Sequence, residues 1–164
     1  MRERDAKPQA EVDIQAYRPE WREAFYRLNA QWLQRHFVIE DVDERMLRDP
    51  ERHVLAPGGT ILFAVLDGEP IGTCALLKED EGLYELSKMA VDEAHHGLGA
   101  GKLLLAAAIE AFHALGGGTL FLESSSKLTR ALGMYERAGF VHQPAPRPGS
   151  HYARADVYMI YRNP

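Results

Sequence analysis

The stretch His96-Gly97-Leu98-Gly99-Ala100-Gly101-Lys102 constrains this chain more than any other. Three glycines in five residues remove side chains where the backbone must approach something closely. The periodicity also changes here. Leu83 to Val91 reads as a strand, whereas Leu104, Ala108, Ala111 and Leu115 fall on one helical face, flanked by Leu105 and Phe112. The spacing predicts a helix from Lys102 to Leu115, stopped by Gly116-Gly117-Gly118. A glycine loop entering a helix leaves its first N–H groups unpaired, and the helix dipole adds to them. Together they make an anion site suited to phosphate or pyrophosphate, with Lys102 and His96 adding positive charge. A plain glycine connector has the same composition, so the loop alone leaves both readings open.

The rest of the chain supplies a topology. Val12, Ile14 and Ala16 alternate with polar residues as in a half-buried strand. Trp21, Phe25, Leu28, Trp32 and Leu33 recur at helical spacing up to Phe37, and a shorter helix spans Asp41 to Arg48 before Asp49-Pro50. Thr60 to Leu66 and Pro70 to Leu77 read as strands joined by the tight-hairpin pair Asp67-Gly68. After Asp80-Glu81-Gly82 comes the strand Leu83 to Val91. Thr119 to Leu122 is all but free of polar residues, the mark of a strand buried on both faces. A helical stripe of Leu128, Ala131, Leu132 and Tyr135 closes at Gly139, with Ser124-Ser125-Ser126 placed to cap it. Strands at Phe140-Val141 and Val157 to Tyr161 flank a proline-rich loop. The order β-α-α-β-β-β-α-β-α-β-β describes an α/β chain with a mixed sheet and helices on its faces. Residues 1–10 read as a flexible N-terminus and 11–164 as a single domain.

Two phosphate motifs fit poorly. A P-loop needs Ser or Thr where Leu103 stands. A dinucleotide fingerprint needs Gly-x-Gly-x-x-Gly, and Gly97, Gly99 and Gly101 are spaced otherwise, although Glu123 loosely fits its acidic partner.

From Leu83 to Phe140 the chain resembles the GNAT superfamily of N-acetyltransferases. The residues that carry the resemblance are Glu85-Leu86-Ser87-Lys88-Met89-Ala90-Val91, then His96 to Lys102, then Ala131-Leu132-Gly133-Met134-Tyr135-Glu136-Arg137-Ala138-Gly139-Phe140. Gly99 and Gly101 match the glycines of the family's Gln/Arg-x-x-Gly-x-Gly/Ala motif. Ala131, Tyr135, Gly139 and Phe140 match its second signature. His96 replaces the usual Gln or Arg, and Ser125 stands where many relatives carry Asn. The resemblance implies a mixed, mostly antiparallel central sheet of about six to seven strands flanked by about four helices. It also implies acetyl-CoA as donor, with transfer to a primary amine of a small molecule or peptide by direct attack. The CoA-binding set would be Met89, Ala90, Val91, His96, Gly97, Leu98, Gly99, Ala100, Gly101, Lys102 and Ser125, with the Met89–Val91 strand splayed to pair with pantetheine. A homodimer is a further implication. The altered positions His96 and Ser125 motivate one alternative, a non-catalytic acyl-CoA-binding module.

Two residues are candidates for proton transfer. On spacing alone Tyr135 reads as a packed aromatic, but the resemblance makes it the acid that protonates the departing thiolate. A phenol of pKa about 10 suits that task. An amine acceptor is mostly protonated at neutral pH, and Glu85, on the strand leading to the cofactor segment, is the candidate base; a fold-stabilising ion pair is the equal alternative. Glu123 is a second carboxylate near the expected cleft. Tyr152 and Arg154 are candidate acceptor contacts, and Cys74 reads as a small buried side chain.

Composition excludes other classes. With 19 Lys+Arg against 24 Asp+Glu, the chain lacks the excess charge of a nucleic-acid-binding face. No apolar run reaches the roughly 18 residues of a membrane helix, and the first residues lack the apolar core of a signal peptide. A single cysteine fits a reducing compartment, so a cytoplasmic location is expected. His95-His96 lacks metal-ligand spacing, and no metal is expected.

Overall fold

The computed structural model describes residues 11–150 and 152–162. The expected flexible segment 1–10 lies outside the described residues. Strands β1 (Asp13–Ala16), β2 (Thr60–Leu66), β3 (Glu69–Asp80), β4 (Leu83–Val91), β5 (Thr119–Ser124), β6 (Phe140–His142) and β7 (Val157–Tyr161) form one sheet in the order β1-β2-β3-β4-β5-β7-β6. Four α-helices flank it among the described residues: α1 (Arg22–His36), α2 (Asp41–Arg48), α3 (Ala100–Ala114) and α4 (Thr129–Ala138). Only β4 and β5 pair in parallel; the other neighbours are antiparallel. A dinucleotide-binding fold, which needs a parallel sheet around its glycine loop, is thereby excluded.

Local chemistry accounts for most boundaries. Asp67 (φ 50) and Gly68 (φ 80) both take the left-handed conformation that a two-residue hairpin of the right twist demands. α3 begins at Ala100, two residues earlier than its apolar stripe suggests, because Gly99 (φ 78) serves as its N-cap. α2 opens with a capping box in which Glu40 and Asp43 exchange bonds with each other's backbone N–H groups. Pro50 does not end helical structure there: a π-type turn, Glu51–Leu55, follows it. The serines do not cap α4 by their side chains. Leu128 is the N-cap, its N–H donating to the Ser125 carbonyl at 3.0 Å, so the serines lie in the preceding turn.

Two apolar layers sandwich the sheet. On one face Leu104, Leu105, Ala108 and Phe112 of α3 pack with Tyr84, Leu86, Leu120 and Leu122. On the other, Phe25 and Leu33 of α1 and Leu47 of α2 pack with Phe63, Ala75 and Leu77. Leu120, Phe121 and Leu122 are all buried, as expected of a strand covered on both faces.

The feature that shapes the site is the parting of β4 and β5. Their pairing ends at Leu86↔Leu122. Beyond it β4 stays with β3, through Ala90↔Thr73 and Val91↔Gly72, while β5 stays with β7, through Glu123↔Tyr158 and Ser124↔Val157. A bulge lies at the fork. Ser87 opposes Ala75 and Ala90 opposes Thr73, so β4 carries one residue too many, and Lys88 absorbs it at φ 55.

Candidate active site

The fork opens a cavity of about 240 Å³. β4 lines it from Glu85 to Val91 and β5 from Leu122 to Ser124. α1 contributes Asn29, Trp32 and Leu33, with Phe37 at its C-cap, and α4 contributes Ala131, Met134 and Tyr135. The two faces of the sheet supply different chemistry. Leu77 and Ala75, which oppose Glu85 and Ser87, belong to the α1–α2 layer, so alternation puts Glu85 on that side. Tyr135 packs with the α3 layer on the other side.

Glu85 is 4% exposed. Burial pushes its carboxyl up to about 8. A hydrogen bond and the charge of Glu79 push the same way, as does the charge of Glu123, while the Lys88 ammonium opposes them. A carboxyl poised there exchanges protons near neutral pH. Glu123 also lines the cavity.

Tyr135 stacks edge-on against Phe140, with ring centroids 6.0 Å apart. Burial pushes its phenol up to about 12, with the neighbouring Cys74 adding to the effect. The phenol thus remains a proton donor over the whole working range of an enzyme. Cys74 is buried, its thiol also pushed up to about 12 by burial, and its Sγ lies 3.9 Å from the Leu104 carbonyl oxygen. A thiol so masked is a packing group.

The glycine loop is brought to the cavity by its two ends. His96 and Gly101 line it. The first i to i−4 bond of α3 is Leu103 N–H to Gly99 carbonyl, at 3.1 Å, so the N–H groups of Ala100, Gly101 and Lys102 precede the helical ladder. His96 Nε2 lies 3.3 Å from the Val91 carbonyl oxygen. Gly97, Leu98 and Gly99 are exposed and Ala100 is buried in the core; none of the four lines the cavity. Lys102 instead lines a second cavity between α3 and α4, beside Leu105, Ile109, Met134 and Arg137. Ser125 lines the main cavity, is 5% exposed, and accepts the Lys127 N–H on its Oγ at 3.3 Å.

The structure adds a buried charge cluster that sequence reasoning missed. Lys88 Nζ donates to Asp43 Oδ1 at 2.7 Å and to the Tyr152 hydroxyl at 3.2 Å. The Arg154 guanidinium holds both Asp43 oxygens, at 2.9 and 3.0 Å, and Glu40 at 2.7 Å. Burial would raise the Asp43 carboxyl, but Arg154 and Lys88 outweigh it and hold it at about 2. Tyr152 and Arg154, the candidate acceptor contacts, both line the cavity. A signal existed in the sequence: a lysine in mid-strand, just before the apolar run Met89-Ala90-Val91, must find a partner when buried. The partner's identity was hidden, since Asp43 lies 45 residues away.

The family model "Acetyltransferase (GNAT) family" matches residues 11–140, and the chain belongs to that family of acyltransferases. An acetyltransferase of the same family from Staphylococcus aureus shares the fold with a TM-score of 0.82 at 21% identity, over 92% of this chain and 98% of that one. An acetyltransferase from Streptococcus agalactiae aligns with a TM-score of 0.78 at 18% identity, covering 92% and 97%. The Salmonella typhimurium protein yncA, solved with its cofactor acetyl-CoA, aligns with a TM-score of 0.70 at 18% identity over 92% of each chain. No curated protein matches the sequence. Among the described residues no helix is long and apolar enough to cross a membrane, and no group of three or more His, Cys, Asp or Glu is placed to hold a metal ion.

Proposed function

We propose that the protein is an N-acetyltransferase that uses acetyl-CoA and acts on a primary amine by direct attack, without a covalent enzyme intermediate. One observation carries the reading: the forked strands present Glu85 on one face of the cavity and Tyr135 on the other, with the α3 N-terminus at its edge. Such a site fits acetyl-CoA on three counts. The β4 segment Met89–Val91 has no β5 partner, which leaves backbone groups for an amide-bearing pantetheine arm. Gly101 keeps the first turn of α3 free of a side chain, and the N–H groups there suit a pyrophosphate. Acetyl-CoA also accompanies the related fold of yncA.

When bound, acetyl-CoA supplies a thioester whose carbonyl carbon the amine attacks, forming the C–N bond as the C–S bond breaks. Glu85 takes the proton of the incoming ammonium, its raised affinity for a proton matching the need. Tyr135 gives its proton to the departing sulfur and recovers one from solvent, to which the nitrogen loses its second proton as the amide forms. Met89, Ala90, Val91, His96, Gly101 and Ser125 hold the donor. Ala100 and Lys102 add their backbone N–H groups to the same anion site, and Gly97, Leu98 and Gly99 shape the loop that leads to it.

The test is acetyl-CoA-dependent thiol release with a panel of primary amines and the matching alcohols, with products identified by mass. Amide products with the amines and none with the alcohols are expected. Ester formation alone would refute the choice of nitrogen, and no product from either set would refute catalysis.

A further inference from the structure

The acceptor end of the cleft has a definite charge and polarity, and these select among amines. Arg154 and Lys88 are the cations that reach it, and each is matched. Arg154 pairs with Glu40 and Asp43, and Lys88 pairs with Asp43. Two cations and two carboxylates leave this cluster with no net charge. Asp43 has no exposure at all, so an Arg154 drawn away to a guest carboxylate would leave a buried anion held by Lys88 alone. The acids that line the cavity outside this cluster are Glu85 and Glu123, and in their ionised forms, which Glu85 reaches toward alkaline pH, they repel a second anion and attract an ammonium. On the same α1–α2 side the cavity has an apolar wall: Trp32 and Leu33 near the end of α1 and Phe37 just after it, with Trp32 and Phe37 ring centroids 5.8 Å apart.

Resting on the acetyltransferase reading, we infer that the acceptor is a primary amine with an apolar alkyl or aryl body and no carboxylate beside the amine. The ammonium lies toward Glu85 and Glu123, and the body lies on the Trp32–Phe37 wall, where burial of apolar surface supplies the affinity. Arg154 and Tyr152 then act as positioning residues that fix α2 and the bulge of β4, and they leave the substrate's charge unread.

Matched pairs that differ only by a carboxylate test this. Thiol release from acetyl-CoA is followed with phenethylamine against phenylalanine, tryptamine against tryptophan, and isopentylamine against leucine, while calorimetry reads acetyl-CoA binding on the same protein. Each amine is expected to exceed its amino acid in kcat/KM by on the order of 100-fold, the usual cost of placing a charge against unmatched groups in a dry site. Amino acids equal to or better than their amines overturn the inference. So does a protein that binds acetyl-CoA yet turns over none of the three amines; the acetyltransferase reading stands in the first case, and in the second it rests on the outcome of the wider amine panel. A protein that does not bind acetyl-CoA overturns the reading and the inference together.

Discussion

Glu85 and Tyr135 are proposed for different roles, and their protonation separates them. With its carboxyl at about 8, Glu85 is ionised only toward alkaline pH, so kcat/KM should rise as pH increases through that region. Glu85→Gln should remove this limb and lower the plateau; a superimposable pH profile would rule the base role out. Tyr135, at about 12, stays protonated throughout and sets no limb of its own. Tyr135→Phe should lower kcat by roughly ten- to a thousandfold while leaving the Kd for acetyl-CoA within about twofold. An unchanged kcat would sink the acid role. Glu85 also links pH to stability. The unfolded carboxyl loses its proton near about 4.3, whereas the folded one keeps it to about 8. Folding therefore binds a proton between these values, and stability falls as pH rises across them. Thermal melts should show Glu85→Gln gaining on the parent from about pH 5 to about pH 8, and parallel curves would contradict the burial argument. Asp43 is the opposite case. Its folded carboxyl is held at about 2, so its contribution is complete above about 4 and is lost as pH falls toward 2. Asp43→Asn, which strips Lys88 and Arg154 of their shared anion, should cost about 3–5 kcal/mol in urea unfolding at neutral pH. A cost below about 1 kcal/mol would show that Glu40 and water compensate.

At the scale of elements, the fork and the start of α3 decide what binds. An ideal Cβ at Gly101 would sit 3.6 Å from Met134 Sδ, ordinary contact, and alanine is the better helix former by about 1 kcal/mol. Gly101→Ala should therefore leave the melting temperature unchanged or raised. The motif that Gly101 matches takes glycine or alanine at this position, so this variant should bind acetyl-CoA within about threefold of the parent, whereas Gly101→Glu, which sets a carboxylate at the proposed pyrophosphate position, should bind it about tenfold or more weakly. An unchanged affinity in the Glu variant would place the anion elsewhere. The elements themselves were largely legible in the sequence. Asp67-Gly68 named the hairpin, the Leu104 to Leu115 stripe named α3, and the bounds of α2, β2, β4 and β7 follow from local chemistry alone. The bulge at Lys88 was not legible. It is set by pairing with β3 and by Asp43, both remote in sequence, and a lysine at φ 55 is held by those tertiary contacts against its own preference. The π-type turn after Pro50 escaped for a similar reason, since Val54 anchors it in the core while its sequence reads as a break. Of the candidate site, Glu85 and Tyr135 were singled out through the family resemblance, and the charge cluster was not seen, because its members come from α2, β4 and the segments before α2 and β7.

At the scale of the whole molecule, the sheet sorts two tasks onto two faces. The α3–α4 face carries the glycine loop and Tyr135, and the α1–α2 face carries Glu85, Trp32 and Phe37. The fork between β4 and β5 is where they meet. The residues that carry the family resemblance lie on β4, the glycine loop with the start of α3, and α4, whereas the N-terminal half, with α1 and α2, resembles the family only in element order. Calorimetric titration with acetyl-CoA, CoA and NADH at fixed salt is the most direct test of the site. Saturable one-to-one binding of both CoA species, with none of NADH, is the predicted result. Absence of CoA binding would contradict it, and would mean that the fork and the α3 N-terminus do not form a cofactor site in this protein.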